Sequence, residues 1–382
     1  MPDTPPPAPR RARLSSGREI LYFDDAPGAG APPPDPRPAD DPPRPSTVRQ
    51  DPLTGDWVTI AAHRNTRTFL PPADECPLCP AGRGSVPSEI PAPAYDVVVF
   101  ENRFPSFAGA GAGEPGGSGD PGEDAGVGSL DDEPLFATRA GRGRCEVLCF
   151  TSDHDGAFSR LPLERVRTIV AAWAHRTAEL SALDGVAQVC CFENRGEEIG
   201  VTLHHPHGQV YGYPFVPPRS AAVLARAAAH RRAHGTSLLR DVLDAERRAG
   251  TRVVLSGQQW TAYVPAAARW PLEVHLAPHR DVADLAELDD AEREELAEVY
   301  LELLRRCDRY HPEVDSLPYI SAWHQAPLGE DRPLGRLHLQ LFSLLRAPGK
   351  LKYLAGSESA MGAWINDVTP ETVAWRLREV AS

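Results

Sequence analysis

The chain has no surplus of positive charge. Its 382 residues carry 40 Lys and Arg against 53 Asp and Glu, a formal net charge of −13. With no basic excess to neutralise phosphates, nucleic acid is not an expected partner. A run of eighteen apolar residues is also missing, so no helix is expected to cross a bilayer and no membrane partner is expected. The first ten residues, Met1 to Arg10, are Pro-rich and hold no apolar signal core, which predicts a chain that stays in the cytoplasm. Cysteines are few and odd in number, seven at 76, 79, 145, 149, 190, 191 and 307. Without an export signal, reduced thiols are expected in place of a disulfide framework. The length still suffices for a large core in one large domain or two ordinary ones.

Proline and glycine are plentiful, at 40 and 31 residues, but unevenly spread. Residues 1–45 hold fourteen of the prolines, and residues 108–134 hold nine Gly, seven Asp or Glu and no Lys or Arg. Neither stretch has periodic apolar residues able to offset the entropy of ordering, so both are expected to be disordered. Within the first, Ile20-Leu21-Tyr22-Phe23 has the pattern of a short strand lying against the body. The acidic stretch supplies seven of the negative charges, which leaves about −6 for the remainder. It is expected to project into solvent, because carboxylates repel an anionic substrate.

Apolar patterning predicts strands over 57–61, 96–100, 144–150, 185–192 and 209–214, with a helix over 159–183 carrying Leu163, Val166, Ile169 and Val170. A second series follows: strands over 251–256, 260–264 and 272–278, then a helix over 288–309 capped by Asp289 or Asp290. Strands over 317–323 and 336–344 close that series, and a last helix spans 371–380. Sheet, helix and sheet thus occur twice, each series ending in a His-containing strand, His205-Pro206-His207 and His338-Leu339-Gln340. This predicts a divergent internal duplication of α+β class, mainly antiparallel sheet with flanking helices, closing into one compact body.

The chemistry concentrates in Glu193-Asn194-Arg195-Gly196-Glu197-Glu198-Ile199-Gly200-Val201-Thr202-Leu203-His204-His205-Pro206-His207-Gly208-Gln209. Neutral imidazole is both a nucleophile and a metal ligand near pH 7, and one nitrogen cannot do both. The pair His205 and His207 therefore invites a division: one binds metal, the other faces substrate. Flanking glycines would let backbone N–H groups approach an anion. Cys76 and Cys79, in Glu75-Cys76-Pro77-Leu78-Cys79-Pro80, are spaced as a redox pair, a metal knuckle or a coincidence. The other five cysteines read as small buried hydrophobes, and the isolated His175, His230 and His311 as ordinary core or surface side chains.

At this point the sequence resembles the galactose-1-phosphate uridylyltransferase family, the transferase branch of the histidine-triad superfamily. The matching segments run in order: Asp51-Pro52-Leu53-Thr54-Gly55-Asp56-Trp57, His63-Arg64 with Arg67, Cys76/Cys79, Phe100-Glu101-Asn102-Arg103-Phe104, Phe150-Thr151-Ser152-Asp153-His154 and Phe192 through Gln209. Trp270-Pro271-Leu272-Glu273, Trp323-His324-Gln325-Ala326-Pro327 and Leu337-His338-Leu339 complete the series. The resemblance implies two tandem histidine-triad-like units: residues 46–218 with the nucleophile and zinc site, and residues 219–382. They follow a disordered extension at 1–45, and the disordered acidic insertion at 108–134 interrupts the first.

The resemblance further implies a nucleotidyltransferase that exchanges UMP between UDP-glucose and galactose 1-phosphate, giving UDP-galactose. The cycle is ping-pong, through a covalent uridylyl-histidine on His207 supported by Gln209. Substrate contacts are implied for Arg64, Arg67, Asn102, Phe104, Asn194, Gly200 and Thr202. Lys352, Ala355 and Glu358 match a hexose-contacting segment contributed by the partner of a homodimer. Cys76, Cys79, His154 and His205 match a zinc ligand set, one structural Zn²⁺ per chain with no open position. Some members bind iron through a Glu and three further histidines. Here His324 and His338 remain, Gln340 stands at the third His and about Val223 at the Glu, so no second metal is expected. Arg103 replaces an Asp that contacts ribose, and Ser357 replaces an aromatic. Competing readings are an ADP-glucose phosphorylase-like enzyme transferring AMP through the same histidine, a nucleotide hydrolase, and a non-catalytic zinc-stabilised binding module.

Overall fold

The computed structural model describes residues 8–27, 30–39, 46–66, 69–110 and 127–381. Arg67 and most of the acidic insertion, residues 111–126, lie outside the described residues. The strands that build the body are β1 (Arg10–Arg13), β2 (Glu19–Phe23), β3 (Val97–Glu101), β4 (Glu133–Cys149), β5 (Gln188–Arg195) and β6 (His207–Tyr213), followed by β7 (Val253–Ser256), β8 (Trp260–Tyr263), β9 (Leu272–Pro278), β10 (Tyr319–His324) and β11 (His338–Ser343). They pair antiparallel throughout, in the order β1-β2-β3-β4-β6-β5-β10-β11-β9-β8-β7. Among the described residues six α-helices accompany them: α1 (Leu163–Ser181), α2 (Pro218–His234), α3 (Leu238–Ala249), α4 (Asp290–Arg309), α5 (Gly356–Met361) and α6 (Pro370–Glu379).

That order contains the expected repeat. The run β3-β4-β6-β5 in the first half matches β8-β9-β11-β10 in the second, and the two runs meet where β5 pairs antiparallel with β10. In both halves one long helix, α1 or α4, lies in sequence between the second and third strands of the run. The first turn of α4 is fixed by a capping box: Asp289 accepts from the Glu292 N–H at 2.8 Å, and Glu292 accepts from the Asp289 N–H at 3.0 Å. Its expected apolar stripe, Leu296, Val299, Leu303 and Leu304, is buried, and α4 packs on α1.

Strand β3 reads Val-Val-Val-Phe without polar alternation because both its faces are covered. Val97 and Val99 join the core under α1 and α4, together with Leu148, Phe150, Val166 and Trp173. Val98 and Phe100 face a second cluster that holds Cys76, Leu78, Cys79, Ile90 and Tyr95. The sheet here is therefore a middle layer, with helices on one side and the Cys76–Tyr95 loops on the other. Strand β6 obeys the same alternation. Val210 enters the helix-side core, while His207 and Gln209 lie opposite Cys149 and Val147 on the loop side.

Three expectations need correction. The 1–45 extension is not uniformly disordered: β2 joins the sheet beside β3, with Ile20 opposite Phe100 and Phe23 opposite Val97, and β1 pairs outside β2. The strand pattern at 20–23 was the informative part; prolines punctuate the segment without preventing four consecutive buried residues. The acidic insertion is likewise narrower than 108–134. Gly128–Leu130 and the start of β4 form a hairpin whose turn residues Asp131 and Asp132 have φ of 56° and 58°, the left-handed values of a tight hairpin turn. Finally, α2 and α3 fall where no helix was read. Each ends on a left-handed Gly, Gly235 or Gly250, and Ser237 caps α3; the Ala-rich composition of α2 conceals an apolar stripe, while the cap and C-terminal Gly are the signals for α3.

Candidate active site and metal centre

Loops and strand ends bring four candidate ligands, two cysteines and two histidines, together. Cys76 and Cys79 lie in a turn, His154 follows β4, and His205 precedes β6. Their donor atoms all lie within 4.8 Å of one another, with Cys76, Cys79 and His205 buried. Cys79 Sγ is 3.4 Å from His154 Nδ1 and 3.6 Å from His205 Nδ1. The far nitrogen of His205 is fixed as a donor: Nε2 lies 2.7 Å from the Thr151 carbonyl oxygen, which can only accept. Tyr95 Oη, 2.9 Å from the same nitrogen, itself donates to the Leu78 carbonyl at 2.7 Å. This arrangement leaves the Nδ1 lone pair pointed at the thiols, the tautomer a metal ligand needs. Burial pushes the His205 pKa down to about 4, which keeps the ring neutral. Burial, reinforced by Cys76, pushes the Cys79 thiol up to about 12, and a dication would reverse that preference. The donor set fits a tetrahedral Zn²⁺.

His207 sits two residues on, at the head of β6. Its Nδ1–H donates to the His205 carbonyl at 2.7 Å, so the lone pair resides on Nε2. Burial lowers its pKa from the ordinary value, while the same carbonyl pulls the other way. Gly208 was expected to admit an anion near the backbone, but its reason is packing. A Cβ there would meet the Phe192 carbonyl oxygen at 2.8 Å and the Phe150 ring at 2.9 Å.

His207 lines two cavities. The first, about 140 Å³, is walled by Arg64, Asn102, Arg103, Phe104, Thr202 and Gln209, with Glu89 also in its wall. Asn102 Oδ1 accepts from the Phe104 N–H at 2.8 Å, and Arg64 donates to the Phe104 carbonyl at 2.6 Å, so the 102–104 loop is tied down from both sides. The second cavity, about 180 Å³, adds Glu193, Asn194, Arg195 and Gly196. There Tyr319 donates to Glu193 at 2.8 Å, and burial raises the Glu193 carboxyl to about 7. A histidine with one fixed nitrogen therefore stands between an aromatic- and Asn-lined cavity and an Asn- and Arg-lined one.

With this geometry in view, the comparisons are decisive. Residues 39–217 match the model of the galactose-1-phosphate uridyl transferase N-terminal domain, and residues 225–382 match its C-terminal domain. The chain belongs to this family. It is 47% identical to a galactose-1-phosphate uridylyltransferase of Streptomyces lividans, over 97% of each chain. The solved structure of a uridylyltransferase mutant is 30% identical, with a TM-score of 0.72, over 87% of this chain and 97% of that one. An ADP-glucose phosphorylase of Arabidopsis thaliana, 22% identical with a TM-score of 0.63 over 87% of this chain and 98% of that one, shares the fold.

Not every expected family contact gathers around His207. Gly200, with φ of 83°, closes a turn between β5 and β6 and is exposed. Lys352, Ala355 and Glu358 lie apart in the C-terminal segment. Lys352 is buried there, pairs with Glu358 at 2.8 Å and donates to the Arg269 carbonyl at 2.8 Å. In the second half, His324 and His338 stack face to face at 4.9 Å, and the rings lie beside Val223 in a narrow cavity of about 30 Å³. His324 Nε2 is 3.3 Å from Gln340 Oε1, while Gln340 Nε2 donates to Glu273 at 2.7 Å. Glu89 and Tyr95 are site residues that no sequence motif singles out, and Thr151, though inside the Phe150–His154 segment, carries no role there; each acts through a neighbour brought close only by the fold.

Proposed function

We propose that this protein exchanges UMP between UDP-glucose and galactose 1-phosphate, with His207 as the nucleophile. The observation that carries the reading is His207 on the shared wall of two cavities, with Nδ1–H held by the His205 carbonyl and the lone pair on Nε2. Nε2 attacks the α-phosphorus of UDP-glucose, the N–P bond forms and the P–O bond to glucose 1-phosphate breaks. In the second half-reaction a phosphate oxygen of galactose 1-phosphate attacks the same phosphorus, the N–P bond breaks, and UDP-galactose leaves. The His205 carbonyl stabilises the positive charge that develops on the ring in both steps. Both steps exchange similar bonds, so the enzyme supplies position more than driving force.

Asn102 and Phe104, with Arg64 and Arg67, form the nucleotide side in this reading; Asn194, Gly200 and Thr202 serve the phosphates and the hexose. Gln209, on the face of β6 that carries His207, steadies the uridylyl group without adding charge. Cys76, Cys79, His154 and His205 would hold one Zn²⁺. With four protein donors it would tie the nucleophile strand to the Cys76–Tyr95 loops and leave no place for an activated water. Residues 46–218 and 219–382 serve as the two family domains. The protein works as a homodimer, whose partner brings Lys352, Ala355 and Glu358 to the hexose. Exposure of Tyr353 and Met361, at 77% and 80%, supports a covered C-terminal segment.

Initial-velocity kinetics test the cycle. Varying UDP-glucose at several fixed galactose 1-phosphate concentrations is expected to give parallel double-reciprocal lines. Intersecting lines, or release of free UMP without acceptor, would contradict it.

A further inference from the structure

The N-terminal segment contributes more than two edge strands. It lies almost wholly outside the matched family domain, which begins at residue 39. Two of its arginines nevertheless end at the wall of the first cavity beside His207, the one lined by Asn102 and Phe104. Arg18, 4% exposed, donates from Nη2 to Glu89 Oε2 at 2.6 Å and from Nη1 to the Glu101 carbonyl at 2.9 Å. Arg37 Nη1 reaches Glu89 Oε1 at 2.9 Å. The rest of the Arg37 fork is held by Asp35, with Nη2 to Oδ2 at 2.8 Å, and Asp35 in turn accepts from the Ser15 N–H at 2.9 Å. Arg103, from the cavity wall itself, comes to 3.5 Å of Glu89 Oε1, and its half-exposed guanidinium also lies over the Phe104 ring.

A buried carboxylate in the wall of a cavity meant for phosphates is out of place on its own. It would repel the ligand and hold Arg103 against itself. With Arg18, Arg37 and Arg103 against Glu89 and Asp35, three positive charges meet two negative ones, and the cation nearest the cavity is Arg103. We propose that the N-terminal residues 8–27 and 30–39 form a positioning brace for the nucleotide pocket: Arg18 and Arg37 neutralise and fix Glu89, and Arg103 presents its guanidinium to the nucleotide phosphate. This inference rests on the reading of the Asn102- and Phe104-lined cavity as the nucleotide side.

The test is calorimetric binding of UMP to the full-length protein, with thermal melts run in parallel. Arg37→Gln, at the more accessible of the two braces, is expected to weaken UMP binding about tenfold, equivalent to about 1.4 kcal/mol, without loss of fold. Arg37→Lys retains most of the affinity. The decisive arm is the double variant Arg37→Gln with Glu89→Gln, which removes the uncovered charge and restores binding to near the wild-type value. Unchanged binding in Arg37→Gln, or a double variant no better than the single, overturns the brace. A wild-type protein that does not bind UMP overturns the nucleotide reading of the cavity itself.

Discussion

At the level of single residues, the account turns on which nitrogen of which histidine is occupied. His205 and His207 are two apart in sequence, yet their rings are locked in opposite senses. The Thr151 carbonyl takes the Nε2–H of His205, and the His205 carbonyl takes the Nδ1–H of His207. The sequence made the division of labour legible, because two imidazoles with Gly and Gln beside them exceed what packing requires. The tautomers were not legible, since both accepting oxygens belong to backbone that only the fold brings near. A pH prediction follows from the burial of His207, which lowers its pKa from the ordinary 6.5 or so. The reactive form is the neutral ring, so protonation on acidification removes the nucleophile. The single-turnover rate of UMP transfer to the enzyme is expected to stay level down to about pH 6.5 and to fall only below it. A stopped-flow profile with its acid limb above that point would contradict this assignment. The same sign holds for stability: His205, held neutral with its pKa near 4, favours the fold less as pH falls below the unfolded-state value.

Among the secondary elements, those with a strong apolar pattern or a clear cap are the easiest to read, whereas the site strands β5 and β6 fall two or three residues from their expected bounds. Strand β9 was read to the residue at 272–278, and α4 was off by two at its start, because apolar stripes and an Asp cap signal both. The N-terminal hairpin was half legible: Ile20 to Phe23 carry the pattern, but their partner β3 lies over seventy residues away. Helix α2 buries little besides Leu224 and Ala227, so no apolar stripe announced it. The metal knuckle shows what spacing alone leaves open. Cys76 and Cys79 become a candidate ligand pair only where the chain around β4 and β6 brings His154 and His205 within 4.8 Å. In the proposed reading a metal on those four residues ties the loops to the strand that carries His207, so removing it should loosen both. Dialysis against a chelator is expected to lower the melting temperature and the transferase activity together, with zinc restoring both. An unchanged melt, with no zinc found by elemental analysis of the untreated protein, would remove the metal from the account.

Across the whole molecule, the duplication organises everything else. His207-Gly208-Gln209 heads β6 and His338-Leu339-Gln340 heads β11, at equivalent places in the two runs of strands. Each histidine points its Nδ1 at the carbonyl two residues back, at 2.7 Å for His207 and 3.1 Å for His338. The first lines cavities of about 140 and 180 Å³, whereas the second lies in a narrow one of about 30 Å³ lined also by Ser220, Val223 and Leu224 of α2. The repeat was legible in outline from the two His-containing strands, whereas the seam between β5 and β10 was not, since nothing local records a pairing over that distance. One core cluster runs through both halves, from Leu148 and Trp173 to Trp260 and Trp323. Scanning calorimetry is therefore expected to show a single unfolding transition, and two well-separated peaks would mean that the halves are stable apart. The central claim concerns His207, and the most direct measurement is the intact mass of the protein after mixing with UDP-glucose alone. The account predicts a mass increase of one UMP, localised by peptide analysis to His207, absent from a folded His207→Gly variant and discharged by galactose 1-phosphate. No adduct, an adduct on another residue, or an AMP adduct formed only from ADP-glucose would contradict it.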